Sequence, residues 1–250
     1  MKFKLLAIWF LFITTIFAQE ASLQFEQANQ LYRNGDYQKA AQMYEQVSKN
    51  GFENPALYYN LGNSYFKFQN IPAAILNFER AKRLAPNDED INYNLRLANL
   101  RVIDKIEPVP RLFLINWWNS FINLFSSDGW AMICLIGFWV SIISVALMFI
   151  IRKSVLQRIV FAVCVLMFLL SIIAIIGMYQ QRHFEQNDTA AIIFSQTVSV
   201  KSAPDAQSTD LFVLHEGVKV EFLDAVGEWC KIRLADGKVG WLSNKDIQTI

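Results

Sequence analysis

The sequence predicts a multidomain chain of α and β structure, in which an N-terminal helical solenoid and a C-terminal small β-barrel flank a two-helix transmembrane hairpin. Three observations predict this fold class. Residues 21–104 repeat a pattern of small and large apolar residues with a period of 34. Two long apolar runs without charged residues follow, at 130–151 and 159–179. From residue 190 the chain changes to short alternating strands that are separated by turn signals.

Composition favours membrane spans and argues against several functions. Apolar residues make up 54% of the chain and charged residues 18%, below the roughly 25% that is typical of soluble domains. The formal net charge is +1 and no basic stripe is present, so nucleic acid is not an expected partner. The three cysteines and two histidines form no CxxC or His-rich tract. We therefore expect no metal site, no cofactor and no Cys–His nucleophile.

Residues 1–18 have the features of a secretory signal peptide. Lys2 and Lys4 form a basic start, an apolar core follows, and Ala18 supplies a small residue at the expected cleavage point. Ile16 stands at the third position before the expected cut and is larger than the small residue usually found there. An uncleaved anchor helix is therefore the alternative. Either interpretation predicts that the following segment is exported.

The two apolar runs are long enough to cross a membrane. At 1.5 Å rise per residue each spans about 30 Å, the thickness of the hydrocarbon core. The connection between them, residues 152–158, carries Arg152, Lys153 and Arg158. Short loops rich in Lys and Arg stay cytoplasmic, so we expect both flanking domains to lie on the opposite side of the membrane. Small residues near one face of the first span would allow close helix packing, namely Gly137, Ser141 and Ser144.

Residues 105–129 form a linker and a predicted interfacial helix. The stretch 112–125 is apolar and contains Trp117 and Trp118, and it ends at a polar Ser-Ser-Asp-Gly break. Because tryptophan prefers the headgroup zone, we expect contact with membrane lipid at the outer face. Packing of this helix on the repeat domain is an equal alternative.

Two 34-residue repeats and a capping helix account for residues 21–104. Small residues let two helices approach each other, and large ones fill the space between them. The equivalent positions are Ala28 and Gly62, Leu31 and Tyr65, Ala40 and Ala74, Tyr44 and Phe78, and Val47 and Ala81. This is the tetratricopeptide pattern of helical hairpins. A third helix, roughly 88–103, is expected to cap the stack.

The first helix of each pair is expected to line a peptide-binding groove. Amides can bond the backbone of an extended peptide, and aromatic rings can pack on its side chains. The candidate residues are Phe25, Asn29, Arg33, Tyr59, Asn60, Asn63, Lys67, Tyr93 and Asn94. An ordinary solvated helix face is the equal alternative. Asn29 and Asn60 match the asparagines of the carboxylate-clamp domains, but Phe25, Asp90 and Asn94 stand where that family places basic residues, so no clamp is expected.

Residues 190–250 contain five or six predicted strands and resemble the bacterial SH3-like fold. The resemblance is carried by segments 211–217, 227–229 and 237–242, and its most specific part is the Gly-Trp strand after the Asp-Gly hairpin. It implies binding to cell-wall peptides or to a protein, without catalysis. Trp229 and Trp241 are candidates for an aromatic ligand surface, although a barrel this small favours their placement in the core. His215 is expected to be a strand residue near a turn.

The order of these parts resembles the aerotolerance BatE family of Bacteroidetes. The match is carried by the connecting stretch, at residues 104–110, 117–118 and 126–131. The resemblance implies partnership with membrane proteins that bear von Willebrand A domains and, indirectly, with a MoxR-type AAA ATPase. It also implies a role in envelope integrity or oxidative-stress tolerance.

The leading hypothesis is a membrane-anchored periplasmic scaffold that binds proteins through its two modules. The alternative is a cell-wall recognition protein that binds peptidoglycan through its SH3-like module. We expect no enzymatic activity, because no paired carboxylates or nucleophile–base pair stand out. The acidic run Asp88, Glu89 and Asp90 lies at a predicted helix start, where the helix dipole explains it.

Overall fold

The computed structural model describes residues 22–110, 112–187 and 190–250, and it divides into two compact units. The first unit combines the described residues before Pro110 with those from residue 190 onward. The second unit is the segment between them. The predicted signal peptide, residues 1–18, lies outside the described residues.

Five helices build the N-terminal half of the first unit. They are α1 (described over 22–33), α2 (Tyr37–Lys49), α3 (Pro55–Lys67), α4 (Ile71–Leu84) and α5 (Glu89–Asn99). Three of them begin at a side-chain cap, which satisfies backbone N–H groups that have no partner within the helix. The capping residues are Asn54, Asn70 and Asp88. The helix predicted at 88–103 is present as α5 but is shorter.

The predicted pairing of small with large residues is confirmed inside the repeats. Ala28, Ala40 and Ala74 are completely buried, so the helices touch along these positions. A Cβ added at Gly62 would lie 2.7 Å from the Phe78 ring, closer than any real contact. Only glycine therefore permits this approach of α3 to α4.

Seven antiparallel strands form one sheet in the C-terminal half of the first unit. They are β1 (Ala190–Ile193), β2 (Thr197–Lys201), β3 (Asp210–His215), β4 (Lys219–Val226), β5 (Trp229–Arg233), β6 (Val239–Ser243) and β7 (Ile247–Thr249). Their order across the sheet is β3-β2-β6-β5-β4-β1-β7. The prediction of five or six strands missed β7, which is short and follows a single 3₁₀ turn. Among the described residues no ladder joins β3 to β7, so the sheet of the predicted small barrel is not closed.

The helical repeats and the sheet share one hydrophobic core. Buried residues of α4 and α5, among them Ile75 and Leu95, belong to the same cluster as Ile192 and Val220 of the sheet. The reason is that β1 is buried at all four positions: it lies between two strands and also packs on α4. The two modules, which the sequence suggests as separate bodies, thus form one compact unit.

Polar bonds reinforce this shared core at its edges. Lys219 Nζ donates to Glu79 Oε2 at 2.9 Å. Arg80 and Arg83 of α4 donate to the carbonyl oxygens of Thr249 and Ile250, each at 3.0 Å. These arginines donate to carbonyl groups at the end of β7 and just after it, at an edge strand of the sheet.

The second unit contains three helices, α6 (Phe113–Ile122), α7 (Ser127–Ile150) and α8 (Ser154–Asn187). Both α7 and α8 are long and apolar enough to cross a membrane. Only 17% of the apolar stretch of α7 and 11% of that of α8 is buried inside the structure, whereas a core helix of a soluble protein would be mostly buried. Helix α8 begins before and ends after the predicted span 159–179.

Helices α7 and α8 pack closely along small residues. Gly137, Ser141 and Ser144 are buried, as the sequence suggested. A Cβ added at Gly137 would lie 2.5 Å from Ser171 Oγ on the facing helix. Ser141 and Ser171 donate to carbonyls of their own helices at 2.9 Å, which satisfies their hydroxyls within the apolar hairpin.

Helix α6 is part of this second unit and contacts α8. Trp118 Nε1 donates to Gln180 Oε1 at 2.9 Å, and Trp130 Nε1 donates to the carbonyl of Ile122 at the same distance. Phe113 and Trp117 are exposed, with 77% and 66% of their surface accessible. Its contact with lipid stays a prediction, and these two rings are the groups that would make it.

Candidate binding surfaces

The predicted groove residues include an asparagine ladder that connects neighbouring helices. Asn29 Oδ1 accepts from Tyr44 Oη at 2.7 Å and from Asn60 Nδ2 at 3.1 Å. Asn94 Nδ2 donates to Asn63 Oδ1 at 2.8 Å, which repeats the Asn29–Asn60 bond one repeat later. The structure thus brings the four asparagines together as two pairs, and within each pair the amide groups bond each other.

The aromatic members of the groove differ in their surroundings. Phe25 packs on Tyr44, with ring centroids 5.7 Å apart, and contributes to the core of the first repeat. Tyr59 packs on Phe78 and accepts from Asn94 at 3.0 Å through its hydroxyl. Tyr93 is 60% exposed, so its ring is available to a ligand.

The basic column of the groove lies at the surface. Arg33 donates to Glu26 Oε1 at 2.7 Å, and hydrogen bonds from Arg33 and Asn29 lower the pKa of the Glu26 carboxyl. Lys67 is exposed in the last turn of α3, and within the described residues its side chain makes no hydrogen bond or ion pair. Lys67 and Tyr93 are therefore the predicted groove residues most free to contact a partner.

Trp229 and Trp241 lie on the outward face of the sheet. On β5 and β6 the buried residues are Cys230, Ile232 and Leu242, which alternate with the two tryptophans. Both tryptophans are half-buried, so the expectation that favoured core positions is corrected. Their role as a ligand surface stays a prediction.

One basic residue completes this outer face. Lys231 is paired with Trp241 across the ladder, and its Nζ lies 5.8 Å from the ring centroid. A cation over an indole face is attracted by the ring quadrupole. The sequence pattern did not single out Lys231, although it stands two positions after Trp229 on the same strand.

His215 connects the sheet to the segment after α5. It is the last residue of β3, as expected for a strand residue near a turn. Its backbone N–H donates to Asp104 Oδ2 at 2.7 Å, and its Nδ1 lies 3.1 Å from Asp104 Oδ1. The partner is distant in sequence, so no local pattern could have revealed this contact.

A cavity that the sequence did not predict lies where the second helices of the repeats meet the sheet. Its volume is about 350 Å³, and α2, α3 and α4 line it together with Phe194 and Gln248. Asn77 lines this cavity and is 3% exposed; its Nδ2 donates to the carbonyl of Ala73, but its Oδ1 accepts from no described group. A buried acceptor without a donor costs about 1–3 kcal/mol and requires an explanation.

Charged groups surround the same cavity. Tyr65 Oη donates to the Glu45 carboxylate, and burial together with this bond raises the pKa of the Tyr65 phenol. Burial lowers the pKa of the Arg80 guanidinium, which lies 5.9 Å from the centre of the Tyr58 ring. Within the described residues, no group of three His, Cys, Asp or Glu is placed to hold a metal ion.

Two family models match the two halves of the first unit. Residues 25–89 match a tetratricopeptide repeat, and residues 196–248 match a bacterial SH3 domain. No curated protein matches the chain. The chain therefore combines two kinds of binding module with two helices long and apolar enough to cross a membrane. Helix α5 and strand β1, which join the modules, lie mainly or wholly outside the matched residues.

Proposed function

We propose that this chain is a non-enzymatic, membrane-anchored scaffold that binds protein partners. The observation that carries the proposal is the shared core of repeats and sheet. Because the two modules form one unit, partners bound to each are held at a fixed spacing. A ligand that is bound to one module is therefore held near the other module at a high effective concentration.

The proposed location is the bacterial inner membrane, with both modules in the periplasm. Modules that share a core must lie on the same side of a membrane, and a chain returns to the same side after two spans. Helices α7 and α8 supply two candidate spans. Arg152 and Lys153 lie between the two helices and Arg158 lies near the start of α8, and these basic residues favour a cytoplasmic connection.

The proposed partners follow from the resemblance to the aerotolerance BatE family. They are membrane proteins with von Willebrand A domains and, indirectly, a MoxR-type AAA ATPase. The proposed role is envelope integrity or oxidative-stress tolerance. The peptide-binding groove lined by the first helix of each pair, called the first-helix groove below, exposes Lys67 and Tyr93. Their exposure supports a contact with a protein partner.

Crosslinking in intact cells tests the scaffold. The tagged chain is crosslinked, purified in mild detergent and analysed by mass spectrometry, as wild type and as the double variant Lys67→Glu, Tyr93→Ser. Lys39→Glu on the exposed face of α2 is the matched control. We expect von Willebrand A proteins with the wild type and the control, and their loss with the double variant. Equal recovery from all three would exclude the groove as the contact.

A second candidate function is peptidoglycan recognition, favoured by the outward surface of Trp229, Lys231 and Trp241. Aromatic faces with an adjacent cation suit sugar rings and carboxylates. The whole protein is tested for co-sedimentation with purified sacculi, with Lys231→Gln and Trp241→Phe as variants and Lys245→Gln as control. If both variants co-sediment with sacculi as strongly as the wild type, this surface is not the binding site.

A further inference from the structure

We propose that the cavity between the second helices of the repeats and the sheet binds the carboxyl-terminal end of a peptide. This second site rests on the proposed binding role of the chain but is separate from the first-helix groove. It is lined by residues of both modules, so it exists only because they share a core.

The buried amide of Asn77 defines one requirement of the ligand. Asn77 Nδ2 already donates to Ala73, which fixes the orientation of the side chain and leaves Oδ1 as an unused acceptor. A ligand N–H would satisfy this oxygen and remove the cost of leaving it unpaired. A peptide backbone supplies such a group beside every side chain.

The charges of the lining define a second requirement. Lys49 and Arg80 contribute two positive charges against the single carboxylate of Glu45, which already accepts from Tyr65. The side chain of Lys49 makes no ion pair with any described residue. The excess positive charge therefore favours an anion, and a terminal carboxylate pairs well with such donors.

Size and polarity define the third requirement. Leu61, Leu76 and Phe194 contribute apolar surface next to these polar groups. The volume of about 350 Å³ is near the lower limit of the roughly 300–1,000 Å³ that ligand pockets span. The last residues of a peptide combine all three features, because an N–H, a small side chain and a carboxylate lie within one residue.

Titration of the full-length protein in detergent tests the site. The probes are N-acetyl-Ala-Ala with a free carboxylate, its C-terminal amide, and the same peptide built from D-alanine. We expect the free carboxylate to bind about 10-fold more tightly than the amide. Preference for the L form would indicate a protein terminus as the source, and preference for the D form a cell-wall stem peptide.

Two variants and one control assign the binding to this cavity. Asn77→Leu and Lys49→Gln should each weaken binding about 5–10-fold. Lys39→Gln, the same charge change on the exposed face of α2, should leave it unchanged. Asn77→Leu should keep or raise the melting temperature, because it removes an unpaired buried acceptor.

Three results would overturn the proposal. They are binding of the amide within about twofold of the acid, equal effects of Lys49→Gln and Lys39→Gln, and no saturation by either configuration up to about 10 mM. Any of them leaves the crosslinking result in the first-helix groove intact, so failure of this site is distinguishable from failure of the scaffold.

Discussion

Replacing Gly217 by alanine tests whether the repeats and the sheet fold as one unit. Gly217 follows β3 and has a φ of +87°, a conformation that costs an alanine about 1–2 kcal/mol. A Cβ there would lie 2.9 Å from Val102 Cγ2, in the segment after α5, and 3.3 Å from Ile75 Cδ1 of α4. This overpacking adds about 1–3 kcal/mol.

Gly237→Ala is the matched control. Its φ is +89°, but the nearest atom to the added Cβ is Val109 Cγ2 at 3.8 Å, an ordinary contact. The control therefore has the conformational cost alone. We expect Gly217→Ala to destabilise the protein by about 1–3 kcal/mol more than Gly237→Ala.

The assay is native-state hydrogen exchange of the full chain in detergent, measured by mass spectrometry. We expect Gly217→Ala to increase exchange in peptides from α4 and α5 as well as in the sheet, because one core unfolds as one cooperative unit. Val102→Ala should partly relieve the clash, so the double variant should be non-additive by about 1 kcal/mol. Equal effects of the two glycine variants, or exchange confined to the sheet, would refute the shared core.

Three further predictions concern single positions. Asn29→Ala removes the acceptor of the buried Tyr44 hydroxyl and should cost about 1–3 kcal/mol, visible as a lower melting temperature; an unchanged melting temperature would contradict the ladder. Burial raises the pKa of the Cys230 thiol from 9.0 to about 11, so the folded chain retains a proton that the unfolded chain releases. The free energy of unfolding should therefore fall as the pH rises from about 9 to 11. In urea titrations, Cys230→Ala should lack this decrease. Gly137→Ala should separate the two long helices and lower the melting temperature in detergent, and Ser171→Ala should partly restore it by removing the hydroxyl that clashes.

Much of the fold was predictable because it follows from local periodicity in the sequence. The 34-residue spacing of Ala40 and Ala74 fixes which faces of the helices touch, and Gly62 opposite Phe78 follows from the same rule. The two apolar runs and the Asp-Gly hairpin are likewise short-range signals. Each depends on neighbours within one element or one repeat, where the spacing of residues determines their geometry.

The candidate sites were predictable only in part. The sequence places Asn29, Asn60, Asn63 and Asn94 on one surface. In the structure Asn60 bonds Asn29 and Asn94 bonds Asn63. The sequence could not tell whether a ligand or the next repeat would satisfy their amides, because both approach the same face. The orientation of Trp241 also depended on strand register, since a shift of one residue exchanges the inner and outer faces.

The sequence alone determined the repeats, the two long apolar helices and all of the described strands except β7, because those patterns are local. Only the tertiary structure decided that α4 packs on β1, and that the apolar residues of α4 and α5 join the core of the sheet rather than that of a further repeat. That contact joins segments on either side of the hairpin, and no periodicity connects them. The cavity beside Asn77 exists for the same reason, since its walls come from elements that meet only after the whole chain has folded.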